Sequence, residues 1–400
     1  MSVFLTQIQI NKIFHLNDIL IEIDPFEKKH LILTGKNGSG KSSLLLAIAD
    51  FLQMIKDDPS FNFLNLDKTK REGDSSQVPG LGAKILNPFF EPRFKLIFDK
   101  VNLQFNDIFQ VSRKIQDKDF LLAYYSATRK TKVDVLISPT KPNLVPANDL
   151  KESKIGEFLK FLVDLKIQEA LARNEDQEKE ADQIKTWFEN FTVLLKDLFE
   201  GDEVRLEFNY KDYSFAIHQG ERKFGFNELS DGYSAIIDII ADLILKMQDQ
   251  NLLTRAYEKE GIVLIDEVET HLHLKLQRVV LPMLTKIFPH IQFIITTHSP
   301  FVLSSLSNCV AFDLEKQTRL ENLTEYSYEA LAEGYFKVET DSSYLIEKLN
   351  RFKELSGISE KDAAEAEEYK NLDQMFSNMD ELLTAPNIKG QYLEIKLSAK

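Results

Sequence analysis

The stretch that most constrains this chain is Gly35-Lys36-Asn37-Gly38-Ser39-Gly40-Lys41-Ser42. It lies between an apolar run, Leu31-Ile32-Leu33, and a helix-like run, Leu44-Leu45-Leu46-Ala47-Ile48-Ala49. Strand, glycine-rich loop and helix in that order are the context a G-x-x-x-x-G-K-[ST] loop requires. Three glycines let the backbone fold into a nest whose N–H groups point at one centre. The following helix adds a partial positive charge there, so the loop is built for a polyphosphate. Lys41 would reach the β- and γ-phosphates and Ser42 would ligate Mg²⁺, which makes Gly35 through Ser43 the candidate binding residues. A chance match in a Gly/Ser loop is the minority reading.

Composition narrows the classes. At 400 residues the chain is long for one core, so one large domain with insertions, or two lobes, is expected. Its hydrophobic fraction of 43 % is ordinary for a globular chain. No apolar run approaches the roughly 18–20 residues of a membrane span. Met1-Ser2-Val3-Phe4-Leu5 lacks a basic n-region and a cleavage site, so no secretion signal and no membrane are expected. The single cysteine, Cys309, leaves no internal disulfide framework and fits a reducing cytoplasm. A net charge of −14 argues against coating nucleic acid over the whole surface, while a local basic patch remains open.

In chain order, Leu5–Ile10 and Ile19–Ile23 alternate as half-buried strands do. Phe14 or His15 between them could stack on a base, but a core or turn role is favoured. From Lys56 to Leu86 the chain is polar and reads as a long loop, with a basic cluster at Lys68-Thr69-Lys70-Arg71. Phe94–Phe98, Val101–Phe105 and Ile108–Ser112 read as short strands of an antiparallel patch. Phe120–Tyr125 is an apolar strand whose polar tail, Ser126 to Lys130, makes Arg129 a candidate ligand contact. Between Asp149 and Leu198 three- and four-residue spacing predicts a helical lobe in two parts, separated by the acidic Asn174–Asp182. Val204–Asn209, Tyr213–His218 and Lys223–Phe226 return to strand character.

Three later stretches carry chemistry. Asn227-Glu228-Leu229-Ser230-Asp231-Gly232-Tyr233 precedes a helix, and Ser230 with Gly232 would make a second anion-binding helix start. Alone that pattern is weak, because serine is a favoured N-cap. Ile262-Val263-Leu264-Ile265-Asp266-Glu267 reads as a buried strand ending in two acids. There Asp266 would hold Mg²⁺ through water and Glu267 would orient and activate an attacking water. Ile291–Thr296 is another apolar strand, running into Thr297-His298-Ser299-Pro300 and placing His298 to bond a γ-phosphate.

Phosphate loop, Leu-Ser-x-Gly, apolar strand with Asp-Glu and strand-end His, in that order, resemble the ABC-type ATPase superfamily. The segment Glu269-Thr270-His271-Leu272-His273 is similar to the OLD-like and RecF-like AAA-family branch, with Septu- and PARIS-like phage-defence ATPases. His271 and His273 have the spacing of a metal pair, but their position favours an interface segment. The resemblance implies an α/β fold: a P-loop ABC-type head with a mixed central sheet, an antiparallel β patch, a helical lobe and a C-terminal helical extension. Residues 1–320 would form the head, with the lobe at 149–200, and residues 321–400 the extension.

By the same resemblance Lys41 and Ser42 belong to the nucleotide loop, Asp266 and Glu267 are the Mg²⁺ and water-activating acids, and His298 is the switch histidine. Ser230 and Gly232 would contact the γ-phosphate of ATP held by a second protomer. The signature departs from the pattern in Asp231, where glycine is common, and Tyr233, where glutamine is common; the Mg²⁺-sensing glutamine has no assigned counterpart.

After Val310–Leu314, Tyr326–Phe336, Ser342–Leu355 and Lys361–Leu383 read as helices of a small bundle. No Asp-x-Asp pair follows His298, so a built-in nuclease is not expected. The function expected is ATP hydrolysis in a sandwich dimer or higher homo-oligomer. It would control a separate effector such as a nuclease, in anti-phage defence or DNA repair, with DNA or RNA as a further candidate partner. The alternatives are an ATP-bound scaffold with little turnover and an OLD-like nuclease with an unrecognised site. A transporter ATPase fits least.

Overall fold

The computed structural model describes residues 2–57, 96–128, 138–144, 149–199, 201, 203–248, 259–321, 323–335, 342–358, 360–378 and 386–398. The expected loop's cluster Lys68–Arg71 and Arg129 lie outside them. The chain divides into two compact units, Met1–Glu325 and Tyr326–Lys400.

The first unit is organised on a six-stranded sheet. Its strands are β3 (His30–Thr34), β5 (Phe120–Tyr125), β9 (Glu260–Ile265), β10 (Ile291–Thr296), β11 (Cys309–Asp313) and β12 (Thr318–Leu320), in the order β12-β11-β3-β10-β9-β5. All neighbours run parallel except the edge pair β11 and β12, so the sheet is mixed. Every residue of β3, β5 and β10 is buried, as the unbroken apolar runs require of strands covered on both faces. The carboxyl ends of β3, β9 and β10 therefore lie side by side. The phosphate loop, the two acids and His298 follow those three ends.

An antiparallel patch joins β1 (Leu5–Ile13), β2 (Leu16–Glu22) and β4 (Val101–Phe105). Its alternating inward side chains share one core with helix α1 (Lys41–Asp57) and the central strands. Gln292 links the layers: its buried amide accepts from Leu5 N at 2.8 Å and donates to Leu5 O at 2.9 Å and Lys29 O at 2.7 Å. The patch is smaller than the sequence suggests. Ile108–Ser112 is no strand but part of helix α2 (Ile108–Gln116), because Asp107 caps it by accepting from Gln110 N at 3.0 Å. Residues 96–98 form a helical turn, and 94–95 lie outside the described residues.

The expected lobe is a helix pair, α3 (Phe158–Asn174) and α4 (Glu178–Phe199), packed through Phe158, Phe161, Trp187 and Phe191. The acidic stretch is not all linker: α4 begins inside it, with Glu178 and Glu180 on its first turn, where the helix dipole favours them. A third sheet, β6 (Val204–Asn209), β7 (Ser214–Gln219) and β8 (Arg222–Gly225), leads into α5 (Asp231–Met247). Asp242 on α5 is fully buried; it accepts from Tyr125 Oη at 2.6 Å and from Lys154 N, and pairs with Lys246 Nζ at 2.7 Å. That network ties α5 to the end of β5 and to the start of the lobe. Helix α6 (Leu274–Ile287) connects β9 to β10, and the one-turn helix α7 (Pro300–Leu303) follows β10.

The second unit contains α8 (Ser343–Ser356), α9 (Ala363–Ser377) and α10 (Pro386–Ser398), preceded by a short helical segment over residues 328–335. Its core is formed by Leu349, Phe352, Leu372, Phe376, Ile388 and Tyr392. Helix α10 was not expected from the sequence. No helix among the described residues is long and apolar enough to cross a membrane.

Candidate functional site

The loop between β3 and α1 is built as the glycines predict. Gly35, Gly38 and Gly40 have φ of 131°, 82° and 95°, in the region that favours glycine. Two of them are also packed closely: an added Cβ would stand 2.8 Å from Ser39 Oγ at Gly35 and 2.8 Å from Leu16 Cδ1 at Gly40. Only glycine keeps this nest.

Lys41 is buried, its ammonium donating to Gly35 O at 2.8 Å and Lys36 O at 3.0 Å. Burial lowers its pKa, opposed by the carboxylates of Glu267, Glu269, Asp266 and Asp313. Lys36 points outward and pairs with Glu315 at 2.8 Å.

Ser42 Oγ donates to Asp266 Oδ1 at 3.0 Å, and Thr296 Oγ1 donates to the same oxygen at 2.6 Å. Glu267 N in turn donates to Thr296 Oγ1 at 2.7 Å. One hydroxyl on β10 thus holds the metal-type acid and the backbone of the catalytic-type acid together. Glu267 itself sits at φ 43°, a left-handed conformation unusual for a non-glycine.

An open cleft is lined by Phe14, His15, Asn37, Gly38, Gly40, Lys41, Ser42, Ser43, Glu267 and His298. It brings together the loop, the water-activating candidate and the strand-end histidine. Burial, then the Lys41 charge, lowers the His298 pKa, opposed by Glu267 and Asp266. The half-buried imidazole is therefore neutral at pH 7, able to donate one hydrogen bond without carrying charge. Phe14 is the turn residue it was expected to be, at φ 53° and 79 % exposed, yet it and His15 also edge this cleft.

Ser230 and Gly232 are not among the residues lining the cleft. Ser230 is the N-cap of α5, exposed, and its side chain makes no cap hydrogen bond. Gly232 is buried against the turn after the acids: a Cβ there would stand 2.8 Å from His271 O. The Tyr233 ring meets the His273 ring edge-on, with centroids 5.9 Å apart. His271 and His273 are both exposed, only the latter has a ring contact here, and no group of three metal-ligating side chains occurs among the described residues.

Thr296 and Glu269 are the site residues that sequence reasoning passed over. Glu269 is half-buried, accepting from His298 N, and burial raises its pKa. Neither carries a local signal, since each acts across the junction between β9 and β10.

The donor set suits the groups such a loop calls for. Ser42 and Asp266 offer two hard oxygen ligands beside a phosphate nest, which is the sparse protein contribution that Mg²⁺ takes when phosphates and water complete its shell.

Comparison with known proteins agrees with this chemistry. Residues 147–304, which hold the Ser230 helix start, the acid pair and His298, match the family described as "AAA domain, putative AbiEii toxin, Type IV TA system". The chain is 28 % identical to the "Septu protein PtuA" of Bacillus mycoides (strain KBAB4), over 88 % of this chain and 47 % of that protein. It is 30 % identical to the "Retron Vc95 probable ATPase" of Vibrio cholerae serotype O1 biovar El Tor, over 57 % of this chain and 40 % of that protein. The chain spans under half the length of these curated relatives. A solved SMC head bound to the C-winged helix domain of ScpA aligns over 81 % of this chain and all of its own, at 13 % identity and a TM-score of 0.41. Within the matched span lie the acid-tipped strand and the helix start at Ser230, and over most of its length the chain is similar to a Septu protein and, over a shorter stretch, to a retron ATPase.

Proposed function

We propose that the chain binds Mg²⁺–ATP at the Gly35–Ser43 loop and hydrolyses it when a second copy closes over the nucleotide. The observation that carries this is the Ser42–Asp266 hydrogen bond of 3.0 Å, in a cleft edged by Lys41, Glu267 and His298. Backbone N–H groups of the loop and the Lys41 ammonium bind and orient the phosphates. Ser42 and Asp266 would hold Mg²⁺, which would supply charge neutralisation on the phosphates. Glu267 accepts a proton from the attacking water, and neutral His298 donates to a γ-phosphate oxygen. Ser230 and Gly232 of the second copy complete the γ-phosphate end, a role consistent with a helix start exposed on its own chain.

The likeness to a Septu protein and a retron ATPase supports a defence setting; in this reading the nucleotide state would control a separate effector such as a nuclease, with DNA or RNA as a further ligand and the cytoplasm as location. A scaffold that binds ATP with little turnover is the second reading. It is favoured by Asp231, an exposed carboxylate on the first turn of α5, which would oppose a γ-phosphate there.

Glu267→Gln tests the first reading. It should cut kcat by about 10²–10⁴-fold while ATP binding is retained, because a general base alone is lost. With hydrolysis blocked, an ATP-trapped dimer should appear in light scattering. Normal hydrolysis by this variant would end the assignment, and negligible phosphate release by the wild type would select the scaffold.

A further inference from the structure

We propose that Glu269 is a positioning residue: its carboxylate holds the backbone of His298, and so aims the imidazole into the cleft. This rests on the nucleotide reading of the cleft for its catalytic consequence, though not for the hydrogen bond itself.

Backbone pairing between β9 and β10 ends at Ile265 and Ile295. Beyond it the two chains stay joined by side chains and turns. Glu267 N donates to Thr296 Oγ1, Val268 N donates to Thr296 O at 3.2 Å, and His298 N donates to Glu269 Oε1. The last of these is the only one that reaches the histidine.

Its neighbours are fixed elsewhere. Thr297 N donates to Leu33 O at 3.0 Å, and Ser299 Oγ donates to Gln277 Oε1 at 2.6 Å. His298 is therefore clamped on both sides, and its own amide donates to Glu269. A wrongly rotated peptide at this position would turn the side chain out of the cleft.

The choice of a carboxylate is informative. Glu269 Oε2 is buried, and burying a carboxylate is costly where a neutral acceptor could cap an amide as well. Charge-assisted bonds are the shorter and stronger ones, so the carboxylate gives a stiffer hold. It also adds negative charge near Lys41, supporting that ammonium against burial.

Reach and charge are separated by three variants: Glu269→Gln keeps the reach and loses the charge, Glu269→Asp does the opposite, and Glu269→Ala loses both. Hydrogen exchange of the amides at residues 297–299, followed without nucleotide, reads the bond directly. Protection should be partly kept in Glu269→Gln, whose neutral amide oxygen still accepts but holds less stiffly, and lost in Glu269→Asp and Glu269→Ala. In turnover, Glu269→Asp and Glu269→Ala should lower kcat about 10–100-fold with KM for ATP within about 3-fold, since the group aims a transition-state contact. Glu269→Gln should stay within about 3-fold of wild type by the same reasoning. Placed on a His298→Ala background, Glu269→Asp should lower kcat no further. Unchanged exchange at 297–299 in Glu269→Asp would overturn the inference whatever the ATPase result. An equal loss of kcat on the His298→Ala background would also overturn it, because the residue would then be acting on something else. A wild type with no ATPase activity would sink the functional reading alone, leaving the exchange experiment to judge the bond.

Discussion

Two helix starts in the first unit carry the residues of an anion site, and they are built very differently. At α1 the approach to the helix holds three glycines at positive φ, and a buried lysine opens the helix itself. A serine hydroxyl there is bonded to an acid from the neighbouring strand. At α5 the start is bare on its outer side: Ser230 is exposed and uncapped by its own side chain, while Gly232 behind it packs against the His271 carbonyl and Leu276. The first is a site within one chain. The second has the donors of a helix start and nothing of its own to complete, which is what half of a shared site would look like. A proper comparison of the two therefore separates binding, which should belong to α1, from turnover, which should need both.

Lys41→Ala should break the first half with the largest effect. Removing a buried, hydrogen-bonded charge costs about 2–5 kcal/mol, so ATP affinity measured by titration calorimetry should fall roughly 30- to 5,000-fold. Unaltered affinity would move the nucleotide elsewhere.

Acid should also act on the α1 side, because β3 begins with a buried histidine. His30 is 4 % exposed, accepts from Phe293 N at 3.0 Å and has its pKa lowered to about 4 by burial first and the Lys28 charge second. Its imidazole stays neutral in the fold while the unfolded chain takes up a proton near pH 6.5, so this contribution is full above 6.5 and is lost as pH falls towards 4. About 3 kcal/mol should disappear over that window, read from urea midpoints. His30→Asn, which keeps an acceptor, should lack this share of the pH dependence.

Ser230→Glu sharpens the other half. A carboxylate on an exposed helix start should leave ATP binding to the chain within about 2-fold and lower kcat about 10–100-fold by repelling a γ-phosphate. Loss of binding in this variant would make the two starts one site. The smallest effect is expected at Gly232→Ala, where the new methyl must displace the His271 backbone. A destabilisation of about 1–3 kcal/mol should appear as a lower melting temperature.

The phosphate loop was legible because glycine spacing and a Lys-Ser pair report backbone geometry directly. The central strands were legible because burial on both faces leaves mostly apolar residues, as in Ile262–Ile265 and Phe293–Ile295. Helix α2 was misread: its alternating apolar residues resemble a strand, and the Asp107 cap outranks them. Helix α10 was missed because Gly390 and a scatter of polar residues break its period, although Pro386 marks its first turn. Glu269 and Thr296 could not be assigned, since their partners lie 29 and 30 residues away and depend on strand register. Local patterns report local geometry. The contacts that aim a side chain come from the pairing of distant strands.

The central claim is that turnover belongs to two copies and not to one. Its most direct measurement is ATP hydrolysis per chain as the protein is diluted at saturating Mg²⁺–ATP. Specific activity should fall steeply once the chain is dilute enough to be monomeric, and be restored by concentrating it. A rate per chain that stays constant down to a demonstrated monomer would contradict the account.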